Sequence, residues 1–305
     1  MDTDAPVSYT DYHNLSMEAK DVDPGITALR YLADRFELNT EQRYWLAFLY
    51  ACTYTTVSVF YIYNEFPDPD RVDLKRLERW WNANKRHVIF QTDRRRIKNN
   101  DQFVPAVKSY MELTRGRADR YFNTKSWKLM YERITAIHGF GRFSVFNHLD
   151  AINTITHQSV MLPYLDMRDA VSCRSGIAWS MDRPDLVTKD RLPGSDLKML
   201  HNEFIRLLKT HDGNVFQVET TLCAYAKYRK GQRYIGYYIE RMRKELKQME
   251  ATTPPGVCWD VLWQFRQETF EPVYLGAHES SVDWGLWVGQ DMGVHSGPDQ
   301  GQHVA

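Results

Sequence analysis

Apolar residues recur at every third or fourth position over most of the chain, the period of a helix seated on a core. Leu74, Leu77 and Trp81 predict a helix over 72–84. Asp101 stands where it would cap a helix running through Leu113, with Gly116 at its far end. Trp127, Met130, Ile134 and Ile137 predict a helix over 123–137, and Phe143, Phe146, Leu149 and Ile152 another over 142–155. Ser195 is placed to cap 196–210, and helices over 217–228, 236–249 and 257–270 complete the series. The polar, basic stretch 90–100 reads as a loop. No strand pair with hairpin chemistry, internal repeat or heptad run stands out, so the fold class is mainly α.

One run departs from this pattern. Residues 44–63 form twenty positions without a charge, long enough to span a bilayer. Five Tyr, three Thr and a Ser within it favour a buried central helix instead. Asn39 and Gln42 have capping-box spacing, which starts this helix near Thr40, and Pro67 ends it.

Length allows one large domain or two lobes sharing a cleft: 305 residues, 43% hydrophobic and 26% charged. The expected organisation is a single helical domain over 1–275 and a mobile tail over 276–305. The tail's three His (His278, His295, His303) lack the spacing and carboxylate partners of a metal site. Four scattered Cys with no CxxC pair exclude a zinc ribbon and a disulfide scaffold and suit a reducing cytosol. The acidic, polar N-terminus is not a signal peptide.

Net charge is zero, but the charge is segregated. Residues 85–142 carry fourteen Lys/Arg against five acids, a local charge of +9. Residues 225–247 carry eight against two, or +6. A neutral protein can thus present a positive groove to phosphate, although solvated helix faces would read the same way.

The motif His138-Gly139-Phe140-Gly141 decides between these readings. Helix, two glycines, helix is a helix-hairpin-helix pattern centred within 124–155. The glycines permit a tight turn and close backbone approach, and the following amides open a helix N-terminus that suits one DNA phosphate. Arg142 and Ser144 add donors, which makes Gly139, Phe140, Gly141, Arg142 and Ser144 the candidate DNA-binding set.

GFGRFSVFNHLDAI resembles the hairpin of the helix-hairpin-helix DNA glycosylase superfamily. With NKRHVIFQTDRRRIKN, SCRSGIAWSMDRPD, YAKYRKGQRYIGYYIERM and WQFRQETF, the chain resembles the bacteriophage amino acid:DNA transferases, also called alpha-glutamyl/putrescinyl thymine pyrophosphorylases. The resemblance spans roughly 40–275. It implies a glycosylase-like helical fold with two lobes around a cleft. The implied reaction replaces the pyrophosphate of 5-pyrophosphoryloxymethyl-uracil in phage DNA with a nitrogen-linked amino acid. It also implies partners (double-stranded DNA carrying modified thymine, and free glycine or serine), no membrane, and the host cytoplasm. The chain departs from a base-excising enzyme in having no acid between Asp150 and Asp166, and Arg142-Phe-Ser-Val where a bifunctional glycosylase has a Lys. A glycosylase on a modified or damaged base and a non-catalytic DNA-binding protein remain the alternatives.

The implied chemistry selects residues. Charge grows on the departing phosphates, so cations must meet it. Lys227, Arg229 and Arg233 lie around Gly231, and Arg94 with Arg95 form a second cluster. The incoming ammonium must lose a proton to a carboxylate, with Asp169 first and Glu219 second. Arg168 or Arg174 would take the α-carboxylate, and Tyr50 and Tyr54, four apart on one face, would stack on or position an extruded base. No cofactor site is legible. A departing pyrophosphate leaves room for assistance by Mg²⁺, and direct displacement and an exocyclic methylene intermediate both remain open.

Overall fold

The computed structural model describes residues 7–276 apart from 92, 93, 163, 164, 166 and 189. The mobile tail expected from Gly276 onward therefore lies, beyond Gly276 itself, outside the described residues. Fifteen α-helices and no strand occur among them, as the mainly α reading requires.

Two helices precede the first element expected from sequence, α1 (Tyr9–Glu18) and α2 (Pro24–Arg35). The central apolar run is the main correction. It is two helices, α3 (Thr40–Thr53) and α4 (Thr56–Glu65), broken at Tyr54 in the left-handed conformation, φ 56°. The Asn39–Gln42 capping box does start α3. Every residue from Tyr44 to Thr53 is buried, so the lack of charge reflects burial in protein. No described helix is long and apolar enough to cross a membrane.

The basic loop contains a short helix, α6 (Arg95–Asn99), after α5 (Leu74–Asn84). Asp101 does not cap α7 (Phe103–Thr114); its carboxylate pairs with Lys85 at 2.6 Å. Gly116 does follow the end of α7, with φ 66°. The 123–137 segment begins later than its periodicity suggests. A short α8 (Ala118–Phe122) precedes it, and Ser126 caps α9 (Trp127–Thr135). Beyond a turn lies α10 (Arg142–Thr156). Then follow α11 (Val171–Ser180), α12 (Gly194–Thr210), α13 (Val215–Tyr228), α14 (Tyr237–Thr252) and α15 (Asp260–Thr269). Ser195 lies inside α12 and not at its cap.

Two helix pairs organise the core. α10 lies against α3, where Ala47, Ala51, Ala151 and Ile152 are wholly buried. α11 lies against α13 so closely that a Cβ on Gly176 would sit 2.1 Å from the Leu222 carbonyl oxygen. The missing side chain of Gly176 permits this close packing against main chain. α2 touches α3, α4, α10, α14 and α15, so the segment leading into it meets most of the helices that carry chemistry.

Because the obstacle at Gly176 is backbone, it cannot swing aside. Gly176→Ala should destabilise the fold by about 1–3 kcal/mol, the usual cost of overpacking. Urea denaturation showing an unchanged midpoint would contradict so close a contact.

Candidate active site

Asp23 and Tyr54 both occupy the left-handed region, with φ 45° and 56°. Asp tolerates that conformation, whereas a bulky aromatic rarely adopts it outside sites that over-determine it. The two residues line one pocket with Pro24, Gly25, Tyr50, Thr55, Thr56, Tyr238, Arg241, Met242 and Glu245. The break between α3 and α4 turns Tyr50, Tyr54, Thr55 and Thr56 toward this space. The Thr56 hydroxyl donates to the Gly25 carbonyl at 2.8 Å, tying the break to the start of α2.

Three carboxylates from distant parts of the sequence meet in the field of this pocket. Thr220 donates to Asp23 at 2.9 Å, and the Tyr54 phenol also stabilises that carboxylate. Asp150 on α10 lies within the field of Asp23 and Glu219, and Glu219 on α13 within that of Asp23. Burial pushes Asp150 far above the usual carboxylate range, and the charges of Asp23 and Glu219 push it further. Burial lifts Glu219 to about 7, opposed by a hydrogen bond from the Cys223 thiol at 3.1 Å and reinforced by Asp23. Asp23 is raised by burial as well. Like charges this close cannot all ionise, so the cluster retains a proton near neutral pH.

Cations border the carboxylates. Arg241 and Arg233 both act on Asp23, and Lys227 lies within the field of both arginines. Burial lowers the affinity of Lys227 for its proton, and Arg233 lowers it further. Arg233 donates to the Tyr238 hydroxyl and lies over the Tyr237 and Tyr238 rings at 4.8 and 4.6 Å. Arg241 donates to Glu245 at 2.8 Å, and Glu245 also accepts from Thr55 at 2.7 Å and from Gln91. Burial raises the phenols of Tyr50 and Tyr54 well above their ordinary value, so both are neutral donors.

A second carboxylate aims α14. Asp21, 3% exposed, accepts from the amides of Gly236, Tyr238 and Ile239 at 2.9, 2.9 and 3.0 Å. It holds the helix N-terminus that delivers Tyr238 and Arg241 to the pocket.

The structure thus brings together Glu219, Lys227, Arg233, Tyr50 and Tyr54 from the sequence-derived set. It separates the others from this cluster. Asp169 is exposed in a turn and pairs with Arg142 at 3.4 Å, whereas Glu219 is the candidate base that lies in the field of Asp23. Arg174, 1% exposed, directs its guanidinium to the carbonyls of Met167, Arg168, Thr188 and Asp190, which is a loop clamp in place of an α-carboxylate receptor. Arg168 is exposed in the turn that Arg174 holds. Arg229 donates to Tyr225 and stacks on Trp179 at 4.6 Å. Arg94 is buried and donates to Ser144, while Arg95 is exposed as the first residue of α6.

Two members of the hairpin set are also corrected. Phe140 is buried and stacks on Phe48 at 5.7 Å, which anchors the turn to the core. Ser144 is fully buried, accepting from the Gly141 amide at 3.2 Å. Gly139, Gly141 and Arg142 remain at the surface. Gly139 has φ 75°, and a Cβ on either glycine would meet no protein atom within 4 Å.

Asp23, Asp150, Tyr238, Arg241 and Glu245 were not selected from sequence. Asp150 did leave a signal, as the one acid in an otherwise uncharged run from Phe143 to Gln158 apart from histidines. Asp23 before Pro24 reads as an ordinary helix start. Among the described residues no group of three or more His, Cys, Asp or Glu is arranged to hold a metal ion.

Neutral phenols and Arg241 at the pocket wall, with a Glu219 of raised proton affinity in the field of Asp23, suit deprotonating an amine beside a departing anion. The family profile described as amino acid:DNA transferase matches residues 17–234. The chain belongs to that family. The transferase is also similar to a serinyltransferase of Salmonella phage ViI, 28% identical over 299 residues, covering 85% of this chain and 70% of the relative. No solved structure matches it. Residues 17–234 include Asp23, Asp150, Glu219, Lys227 and Arg233, while all of α14, with Arg241 and Glu245, lies beyond the match.

The Glu219 shift has a definite sign in stability. Its affinity is raised from the ordinary 4.5 to about 7, so the folded state holds an extra proton between those values and stability falls as pH rises through that window. Above it the ionised Glu219 opposes folding. Glu219→Gln should therefore exceed the parent in stability at pH 8 by on the order of 1–3 kcal/mol, and by much less at pH 5. Equal differences at the two pH values in urea titrations would show that Glu219 ionises normally.

Proposed function

We propose that this amino acid:DNA transferase joins the amino group of serine to the C5 methylene of 5-pyrophosphoryloxymethyl-uracil in duplex phage DNA, with pyrophosphate leaving. The observation that carries this reading is the cluster of Glu219, Asp150 and Asp23 beside Lys227, Arg233 and Arg241. Serine is favoured over glycine because the phage relative is a serinyltransferase. The host cytoplasm, where phage DNA is replicated, is the expected compartment.

In this scheme Glu219 takes the proton from the incoming ammonium, its high affinity being maintained by burial and by Asp23. Lys227, Arg233 and Arg241 meet the charge that develops on the leaving phosphates. Tyr50 and Tyr54 receive the extruded base, their neutral hydroxyls serving as donors to its carbonyl oxygens. Gly139, Gly141 and Arg142, at the turn between α9 and α10, hold the flanking phosphate as in a helix-hairpin-helix. The positive segment 85–142 contributes further phosphate contacts. We read 1–275 as one catalytic unit with this hairpin within 124–155.

The deciding assay offers duplex DNA containing the pyrophosphorylated base with serine, glycine or no amino acid, followed by mass spectrometry of the nucleosides. Pyrophosphate release and a serine-bearing nucleoside only when serine is present are expected. An abasic site would instead indicate a glycosylase, and binding without product a non-catalytic protein.

Two sets of variants dissect the roles. Lys227→Ala or Arg233→Ala should slow single-turnover chemistry by about 10²–10³, while plain duplex affinity stays near that of the parent. Normal chemistry with weakened plain binding and a reduced salt slope would assign these cations to the backbone. Gly141→Val places its side chain in open space, so the fold should be unchanged. Affinity should then fall about equally for every DNA sequence, and unchanged affinity would remove the turn from the DNA interface.

A further inference from the structure

Among the large apolar side chains left exposed, Phe143 is distinguished by what surrounds it. It is 37% exposed and lies in the first turn of α10, two residues after Gly141. Its ring meets Tyr54 edge-on, with centroids 6.1 Å apart and planes at 84°. The Arg94 guanidinium lies 5.2 Å from the ring centroid on another side. Arg94 is itself buried and fixed to the buried Ser144 hydroxyl. An exposed Phe is ordinary by itself. An exposed Phe braced by a buried cation and a pocket-lining phenol is held at one place and in one orientation.

That place is the junction of the two surfaces the reaction needs. On one side are Gly139, Gly141 and Arg142, at the turn assigned above to the DNA backbone. On the other is Tyr54, which lines the pocket with Asp23 and Tyr238. Phe143 thus stands between the turn and the pocket wall formed by Tyr54. Extrusion leaves a gap in the stack, and apolar side chains inserted between base steps fill such gaps. Phe146, one turn further on, faces inward against Phe216 at 5.0 Å and cannot serve.

We propose that Phe143 is the wedge that enters the duplex and occupies the space vacated by the extruded base. The proposal rests on the reading above that duplex DNA lies across the α9–α10 turn. Its ligand is an unstacked base step of any sequence, since a phenyl ring offers no hydrogen bonds to read base edges.

The test uses the full chain and two substrates carrying the same modified base, one duplex and one single-stranded. The single strand needs no gap to be filled. Phe143→Ala should slow single-turnover chemistry about 10- to 100-fold on the duplex and less than about threefold on the single strand. Phe143→Leu, which keeps an apolar wedge, should recover most of the duplex rate. A second arm is independent of chemistry: 2-aminopurine placed beside the target thymine in unmodified duplex should brighten with the parent and much less with Phe143→Ala. Equal rate losses on both substrates, or none on either, together with an unchanged 2-aminopurine response, would overturn the proposal. No turnover by the parent on either substrate, with the fluorescence difference retained, would leave the wedge standing and reject the proposed reaction. Thermal melting of each variant separates these outcomes from loss of fold.

Discussion

The structure is organised around a cost, the placing of Asp23, Asp150 and Glu219 within one another's electrostatic reach where water is scarce. Burial raises the proton affinity of all three, Asp23 raises Asp150 and Glu219 further, Glu219 also raises Asp150, and Glu219 is lifted to about 7. Such crowding opposes folding above that pH, and it must be supported by surroundings that cannot relax. Arg233 and Arg241 offset part of it through their charge on Asp23, and Thr220 and Tyr54 through hydrogen bonds to it. What opposes stability is the property that lets a carboxylate accept a proton from an amine at neutral pH.

Rigidity comes from contacts that leave no freedom of position. Gly176 brings α11 against the α13 main chain, so the helix carrying Glu219, Cys223 and Lys227 is fixed at its middle. Asp21 fixes the start of α14 through three amides and so sets Tyr238 and Arg241. The left-handed Asp23 and Tyr54 are held where α2 begins and α3 breaks, joined by the Thr56–Gly25 hydrogen bond. The α9–α10 turn is anchored in turn by Phe140 on Phe48 and by Ser144 beneath Gly141. The α9–α10 turn and the pocket lined by Tyr50 and Tyr54 therefore share the α3–α10 pair as one foundation.

The sequence by itself determined the mainly α class, most helices from α5 onward, the capping box of α3 and the glycines of the α9–α10 turn. Each is a local matter: helical period, cap chemistry and backbone freedom act within a few residues. Motif blocks pointed to the family, and the chemistry that resemblance implies selected Glu219, Lys227, Arg233, Tyr50 and Tyr54, which the fold places near one another. Local pattern could not show that the uncharged run breaks at Tyr54, because that break is held by contacts with α2. Nor could it show that Asp169 is exposed against Arg142, or that Arg174 and Ser144 spend their polar atoms on the protein itself. A carboxylate's proton affinity and an arginine's hydrogen-bond partners depend on what surrounds them in space. Asp23 and Asp150 stand 127 positions apart in the chain, and their mutual effect exists only once α2 and α10 are packed together. Tertiary structure alone decided which charges share a pocket, because Coulomb interactions follow distance through space and not separation along the chain.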